Sequence, residues 1–169
     1  MGGRKRILVA GHSGAGKDTA CLLLAELTYL RFAGTTSDCL AKYVAARLRV
    51  PLAQAYRTRH ANRNLWHKVG NEVRRRDPGL LVRESLEHAE ITGGIRGIEE
   101  LLACRRERLV DLIVWVDNGR VRPGRAVTFG AGDCDLTVAN HGSLEEFRRA
   151  LLRLARSAGL PLRPEAGPA

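Results

Sequence analysis

The sequence lacks any long hydrophobic run and any cysteine motif typical of metal binding. No apolar stretch approaches the roughly 18–20 residues needed to cross a bilayer, so we expect no membrane association. The N-terminal segment passes from a short apolar stretch straight into glycine-rich sequence, which predicts no signal peptide and a cytoplasmic protein. The four cysteines form no CxxC pair and the five histidines are scattered, so neither disulfides nor a zinc site is expected.

Acidic residues are also scarce. The 169-residue chain has 18 Asp and Glu against 28 Lys and Arg, which gives a net charge of +10, and lysine occurs at only four positions. A GC-rich genome would account for the preference for arginine over lysine, but not for the net excess of positive charge. This excess favours polyanionic partners, namely nucleotides, nucleic acid or acidic surfaces.

Short apolar segments alternate with segments of helical periodicity along the chain. Strands are predicted at 6–10, 112–116 and 135–139, with two weaker candidates at 31–33 and 90–92. This alternation predicts an α/β fold with a five-stranded parallel sheet and helices on both faces. We expect one domain over residues 1–158, with a helical region at 35–90, followed by a flexible tail at 159–169.

A glycine-rich loop joins the first predicted strand to the first predicted helix. Its glycines allow successive backbone N–H groups to point at phosphate oxygens, and the helix N-terminus adds partial positive charge. Lys17 supplies a full charge for the β- and γ-phosphates of a nucleoside triphosphate. The residues expected to bind this nucleotide are Gly11, Ser13, Gly14, Ala15, Gly16, Lys17, Asp18 and Thr19.

The residue after the lysine departs from the general phosphate-loop pattern. Asp18 stands where Ser or Thr usually coordinates Mg²⁺. The loop resembles those of the nucleoside monophosphate kinases, and more closely those of the phage-type deoxynucleoside monophosphate kinases, which end Gly-Lys-Asp-Thr. The resemblance implies a P-loop NTPase fold, ATP and Mg²⁺ as cofactors, and the cytosol of a bacterium or a phage-infected host. Asp18 either binds Mg²⁺ through water or caps the helix, and the residues leave both roles open.

A second segment, residues 65–77, resembles the Gly-Thr-Glu-x-x-Arg element of the same kinases. Gly70, Glu72 and Arg75 match this element, while Asn71 stands where threonine is usual. The resemblance implies that this helix lines the pocket for the monophosphate. Glu72 and Arg75 share a helix face, and an arginine there can grip a phosphate through two hydrogen bonds. A surface salt bridge on a basic helix is the alternative.

A third element, residues 91–100, resembles the strand and following arginine that contact both phosphates in these kinases. Arg96 matches that arginine. The family usually has an aspartate just before it, which serves Mg²⁺, but here Thr92, Gly93 and Gly94 occupy these positions. Asp117, at the end of the next strand, is the candidate to replace it if it lies near Asp18.

The glycine- and proline-containing segment 118–132 corresponds to the lid of this family. Its basic residues Arg120, Arg122 and Arg125 are expected to join Lys17 and Arg96 as catalytic groups, because lid arginines stabilise the charge of the transferring phosphoryl group. A solvated basic loop is the alternative. By the resemblance, Asn140 and Gly142, in the turn after the last strand, lie beside the adenine of ATP.

The resemblance extends from Ile7 to about Leu154 and implies transfer of the ATP γ-phosphoryl group to a (deoxy)nucleoside monophosphate. One alternative is another small-molecule P-loop kinase, such as a dephospho-coenzyme A kinase. A second is a catalytically weak nucleotide- or nucleic-acid-binding protein on the same fold, which the missing aspartate and the net charge favour. The sequence does not determine the base, the choice between deoxyribose and ribose, or the oligomeric state.

Overall fold

Residues 5–124 and 126–164 are described by the computed structural model. They form four strands, β1 (Ile7–Ala10), β2 (Ile91–Gly93), β3 (Leu112–Asp117) and β4 (Leu136–Ala139). The helices are α1 (Lys17–Leu27), α2 (Thr36–Leu48), α3 (Leu52–Arg57), α4 (Arg63–Arg76), α5 (Leu80–Ser85), α6 (Ile98–Arg106) and α7 (Leu144–Ser157), with a 3₁₀ turn at Ala131–Asp133. Within these ranges, no helix combines the length and apolar character needed to span a membrane.

The four strands form one parallel sheet in the order β2-β1-β3-β4. Alternate side chains of the strands enter two separate hydrophobic cores, which confirms an α/β fold with helices on both faces. The face covered by α1 and α7 carries Ile7, Val9, Val114, Val116 and Val138. The opposite face, covered by α5 and α6, carries Leu8, Ala10, Ile113 and Trp115.

The prediction of a fifth strand at 31–33 is wrong. Phe32 forms a single parallel bridge with Ile91, at the free edge of β2, and no strand develops around it. The reason is local: the chain turns at Gly34, and Thr35 already precedes the first turn of α2. One residue of pairing therefore continues the sheet beyond β2 without making a strand.

Helices α2 to α5 form the helical region predicted at 35–90. Their apolar residues make a third core, in which Val69 and Val73 of α4 pack with Leu40 and Val44 of α2. Asp38 fixes the start of α2, because its Oδ2 accepts hydrogen bonds from the backbone N–H and the hydroxyl of Thr35 at 2.6 and 2.9 Å. This region stands at the carboxyl ends of β1 and β2, where it forms one wall of a cleft.

The C-terminal helix α7 begins with a capping box. The Glu146 carboxylate accepts a hydrogen bond from the backbone N–H of Ser143 at 2.6 Å, and the Ser143 hydroxyl accepts one from Glu146 at 3.2 Å. Beyond α7 the chain returns to α1: Leu160 is buried, and Leu162 bridges Thr28. The predicted flexible tail is thus anchored as far as Arg163, whose backbone N–H donates to Leu27, and residues 165–169 lie outside the described part.

Candidate functional site

The loop between β1 and α1 is held in shape by contacts from two directions. The backbone N–H of Ala15 donates to the carbonyl of His12 at 3.1 Å, and the Asn140 side-chain amide donates to the carbonyl of Ala15 at 2.9 Å. Gly16 has a φ of +99°, and a Cβ there would collide with the Asn140 amide. The loop therefore has a fixed backbone before any ligand is considered, and Asn140 supports it from the end of β4.

Lys17 is partly buried at the start of α1, with its ammonium folded back onto the loop. Its Nζ donates to the carbonyl of His12 at 2.8 Å. Burial lowers the pKa of Lys17, and the nearby charge of Arg96 acts in the same direction, although Asp18 opposes both. A partly buried ammonium has lost some of its hydration, so a bound anion would stabilise its charge.

A cleft of about 450 Å³ opens at the carboxyl ends of β1 and β2. The phosphate-loop residues form one wall, and the opposite wall comes from the start of α2, from α4 and the turn before it, and from the segment after β2. Ala126 and Val127, from the segment after β3, also contribute to the lining. The polar and charged side chains that line it are Ser13, Lys17, Asp18, Thr35, Ser37, Asp38, Arg59, Arg63, His67 and Arg96.

Basic side chains from distant parts of the chain converge on Arg96. Its guanidinium lies 3.2 Å from Nδ1 of His67. Burial lowers the pKa of Arg96, and the charges of Arg74, Arg59 and Arg63 lower it further. Burial and the same arginines also lower the pKa of His67. Several positive charges held this close create a strongly positive potential, which favours binding of an anion between them.

Arg96 and His67 stand where the main cleft meets two neighbouring cavities. One, of about 380 Å³, is lined by Trp66, Arg74 and Leu40 among others. The other, of about 630 Å³, lies on the far side of Arg96 and includes Arg74 and Asn71 in its lining. An anion held by Arg96 would thus have space beside it for the rest of a larger molecule.

The residues predicted for the acceptor pocket are placed differently from one another. Gly70 is buried where α4 crosses α2, and a Cβ there would lie 3.1 Å from a methyl of Leu40. Glu72 forms a salt bridge with Arg47 of α2 at 2.6 Å. Arg75 is exposed and borders the 630 Å³ cavity. Of these three residues, only Arg75 lines a cavity that adjoins Arg96.

Sequence reasoning missed Arg59, Arg63, His67 and Arg74 as residues of the site. A signal for three of them was present in the helical periodicity of α4. Arg63, His67 and Arg74 fall four and seven residues apart, so they follow one flank of the helix beside its buried face. Arg75 is one residue further around the helix, which turns it towards solvent. Nothing in the periodicity identifies Arg59, which stacks over the Trp66 ring at 4.8 Å from its centre.

The two predicted metal-binding carboxylates have different surroundings. Asp18 is exposed in the first turn of α1 and lines the main cleft. The carboxylate of Asp117, at the end of β3, lies 2.9 Å from Nε2 of His141. In residues 5–124 and 126–164, no three His, Cys, Asp or Glu side chains form a group that holds a metal without help from a ligand.

The position after β2 carries no carboxylate, as the sequence indicated. The backbone conformation there explains why glycine occupies it. Gly94 has a φ of +99°, and a Cβ on it would lie 2.9 Å from the Thr36 hydroxyl. A side chain at this position would be strained in its backbone and crowded by α2. Of the two predicted carboxylates, Asp18 lines the cleft, whereas Asp117 is not among its lining residues.

The described residues of the predicted lid segment contact the cleft at two places. At one end, Val121 approaches Gly14 of the phosphate loop, and at the other the backbone N–H of Thr128 donates to the carbonyl of Arg96 at 3.0 Å. Arg120 and Arg122 are exposed, and Arg125 lies outside the described residues. Of the two residues predicted beside adenine, Asn140 contacts the loop backbone, and Gly142 lies next to Glu146 at the start of α7.

No protein-family model matches this chain, and no curated protein matches it. Among solved structures, TT1252 from Thermus thermophilus is 20% identical to it, with a TM-score of 0.46 over 92% of this chain and 98% of that one. An unliganded sugar kinase from Janibacter sp. HTCC2649 is 16% identical, with a TM-score of 0.47 over 99% of this chain and all of that one. At these TM-scores the likeness carries no functional assignment.

Proposed function

We propose that the protein transfers the γ-phosphoryl group of ATP to a (deoxy)nucleoside monophosphate. The observation that carries the proposal is that one cleft has a phosphate-loop lysine on one wall and a convergent group of arginines on the other. Lys17 and Ser13 line the first wall, and Arg59, Arg63 and Arg96 line the second. A reaction between two phosphate-bearing molecules needs both walls in this relation, because catalysis rests on positioning and on charge.

The donor side of the proposal rests on the loop backbone. Its N–H groups and the N-terminus of α1 would bind the β- and γ-phosphates of ATP, and Lys17 would exchange the His12 carbonyl for phosphate oxygens. Asp18 fits Mg²⁺, because this ion is commonly held by one or two carboxylates together with substrate phosphates. Bound there, Mg²⁺ would neutralise charge on the β- and γ-phosphates.

The acceptor side of the proposal rests on side chains. Arg59, Arg63 and Arg96 would bind the phosphate of the monophosphate, and the adjoining cavities would accommodate its nucleoside. The attacking oxygen belongs to a phosphate that is already anionic, so the reaction needs no general base from the protein. The arginines instead offset the repulsion between the two phosphates as they approach.

ADP production with a panel of acceptors tests this proposal. The panel contains the ribo- and deoxyribonucleoside monophosphates of each base, together with dephospho-coenzyme A and a simple sugar. We expect turnover of at least one monophosphate, dependent on Mg²⁺, and none of the sugar. Turnover of dephospho-coenzyme A alone would move the activity to a different small-molecule kinase, and ATP hydrolysis without any acceptor dependence would overturn the proposal.

A second function, nucleic-acid binding, is favoured by the net charge of +10 and by exposed arginines such as Arg120 and Arg122. Neutralising Arg120, Arg122 and Arg125 together separates the two functions. For a kinase lid, we expect kcat to fall much more than the affinity for ATP. For a nucleic-acid surface, any kinase activity stays intact, and the salt dependence of DNA or RNA binding flattens by up to about one unit for each lost phosphate contact.

A further inference from the structure

The least exposed carboxylate of the described chain lies directly behind the arginine wall of the cleft. Glu100, in the first turn of α6, is 1% exposed. Its Oε2 accepts the backbone N–H groups of Arg96 and Gly97, both at 2.8 Å. Its Oε1 accepts a hydrogen bond from Nε of Arg74 at 3.0 Å. A buried carboxylate is costly without partners, and here both oxygens are used.

These contacts connect two elements that are far apart in the sequence. Arg74 belongs to α4 in the helical region, whereas Arg96 follows β2 at the edge of the sheet. Glu100 holds the backbone of one arginine and the guanidinium of the other. The Glu100 bond uses Nε of Arg74, and Nη1 of the same guanidinium packs against Gly70, where a Cβ would lie 2.6 Å from it. Arg74 lines both cavities that adjoin the cleft.

The contacts of Glu100 with Arg74 and Arg96 also affect the charge balance of the cleft, in addition to capping α6. Arg74 and Arg96 repel each other, as do Arg59 and Arg63 beside them, so the four charges would spread apart without an anion. Glu100 supplies a compensating carboxylate beside Arg74 and Arg96, and it lines the 630 Å³ cavity together with them. The arginines then keep their places while the cleft is empty, and less ordering is needed when a phosphate binds.

We propose that Glu100 is a positioning residue that holds Arg74 and Arg96 as a pair facing the acceptor phosphate, and that Arg74 is a binding residue of that site. This inference rests on the proposed function and names two further residues for it. The Arg74 guanidinium contributes N–H donors to the phosphate, and Glu100 acts through the two arginines.

A matched pair of variants isolates this role. In Glu100→Gln, the amide oxygen is still able to accept from Arg96 and Gly97, but the amide NH₂ faces Arg74 and accepts nothing. Glu90→Gln is the control, because Glu90 is also a buried carboxylate, 8% exposed, that pairs with an arginine, Arg31. Glu90 precedes β2, at the opposite end of the strand from the cleft.

We expect both variants to lower the melting temperature, and only Glu100→Gln to change the kinetics. Its kcat/KM for the acceptor should fall about ten- to hundredfold, the range of one or two charge-assisted hydrogen bonds, with the KM for ATP unchanged. Arg74→Gln keeps the helix cap and should reproduce this loss. The double variant should be no worse than either single one, because the two residues act as one unit.

A binding measurement separates this inference from the proposed function. Inorganic phosphate is titrated calorimetrically into the Lys17→Ala protein, with and without Glu100→Gln or Glu90→Gln. We expect weaker phosphate binding only with Glu100→Gln, and this result would support the inference even if no monophosphate is phosphorylated. Equal phosphate binding in the two variants, or an unchanged acceptor KM in Arg74→Gln, would overturn it.

Discussion

The two walls of the cleft differ in what they are made of. The donor wall is mostly backbone: a loop of consecutive residues between β1 and α1, closed by one turn and fixed by the Asn140 amide. The acceptor wall is mostly side chain: arginines from the turn before α4, from α4 itself and from the segment after β2. The first wall is specified locally, whereas the second exists only after the helical region has packed beside the sheet.

This difference determines how each wall is stabilised. Backbone N–H groups in a fixed loop lose little entropy when a phosphate binds, and glycine at position 16 makes their arrangement possible. Arginine side chains are long and repel one another, so their placement depends on compensating groups such as Glu100. Substitutions in the donor wall should therefore act on ATP binding and on the chemical step, and those in the acceptor wall on affinity for the acceptor.

The largest effect is expected for Lys17→Ala. In the proposed reaction Lys17 supplies the positive charge for the transferring group, so kcat should fall at least about 10²-fold, as for loss of one preorganised electrostatic donor. Steady-state kinetics with saturating acceptor measure this loss. An alanine variant with the turnover of the parent protein would remove the phosphoryl-transfer proposal and the distinction between the walls.

Arg96→Lys and Arg75→Lys test the acceptor wall next. Arg96 is half-buried in the arginine cluster, so lysine, which lacks the planar fork, should lower kcat/KM for the acceptor about ten- to hundredfold. Arg75 is exposed on the outer side of α4, and its lysine variant should behave as the parent protein does.

The ranking of these two variants is the informative result. If Arg75→Lys is the more damaging, the acceptor phosphate binds in the 630 Å³ cavity rather than at the arginine cluster. Arg75 and Asn71, which line that cavity, would then be assigned to the acceptor site.

The sequence predicted the donor wall better than the acceptor wall for the same physical reason. The loop at 11–16 depends on residues that are adjacent in the chain, so strand, glycines and helix are visible together. The position of Arg59 depends on how α3 and α4 pack, which no local pattern encodes. The sequence pointed to Arg75, whereas the structure places Arg74 beside the cleft, and this difference has another cause. Helical spacing shows which residues share a face of α4, but only the burial of Trp66 and Val69 shows which face packs against the protein.

The missing fifth strand is a related case. Residues 31–33 have the composition of a strand, yet Gly34 redirects the chain into the cap of α2 after a single bridge. The capping box of Ser143 and Glu146, by contrast, needs only residues three apart, so its pattern is visible in the sequence. Elements fixed by near neighbours in the chain were predictable, while edges and pockets made by packing were not.

A smaller effect is expected where β4 supports the donor wall. Asn140→Ala removes the hydrogen bond to the Ala15 carbonyl, and Asn140→Asp also places a negative charge beside it. We expect the KM for ATP to rise by a few-fold with alanine and about tenfold with aspartate, with the acceptor KM unchanged. Competition with a fluorescent ATP analogue provides an independent affinity. An equal loss in both variants would assign the whole effect to the hydrogen bond.

The smallest effect is expected for Glu72→Gln, which decides where the acceptor wall ends. The hydrogen bond from Arg47 lowers the pKa of the Glu72 carboxyl below its usual value, so the folded state gains stability when this group is ionised. That gain is present above the ordinary pKa and is lost as the pH falls through the lowered one. The pair is largely exposed, so the melting temperature should drop only slightly at neutral pH, and the difference should disappear as the pH falls through the lowered pKa. The acceptor KM should not change, because Glu72 contacts α2 rather than the cleft. A rise in that KM without a change in melting temperature would make Glu72 a binding residue and extend the acceptor wall to the other flank of α4.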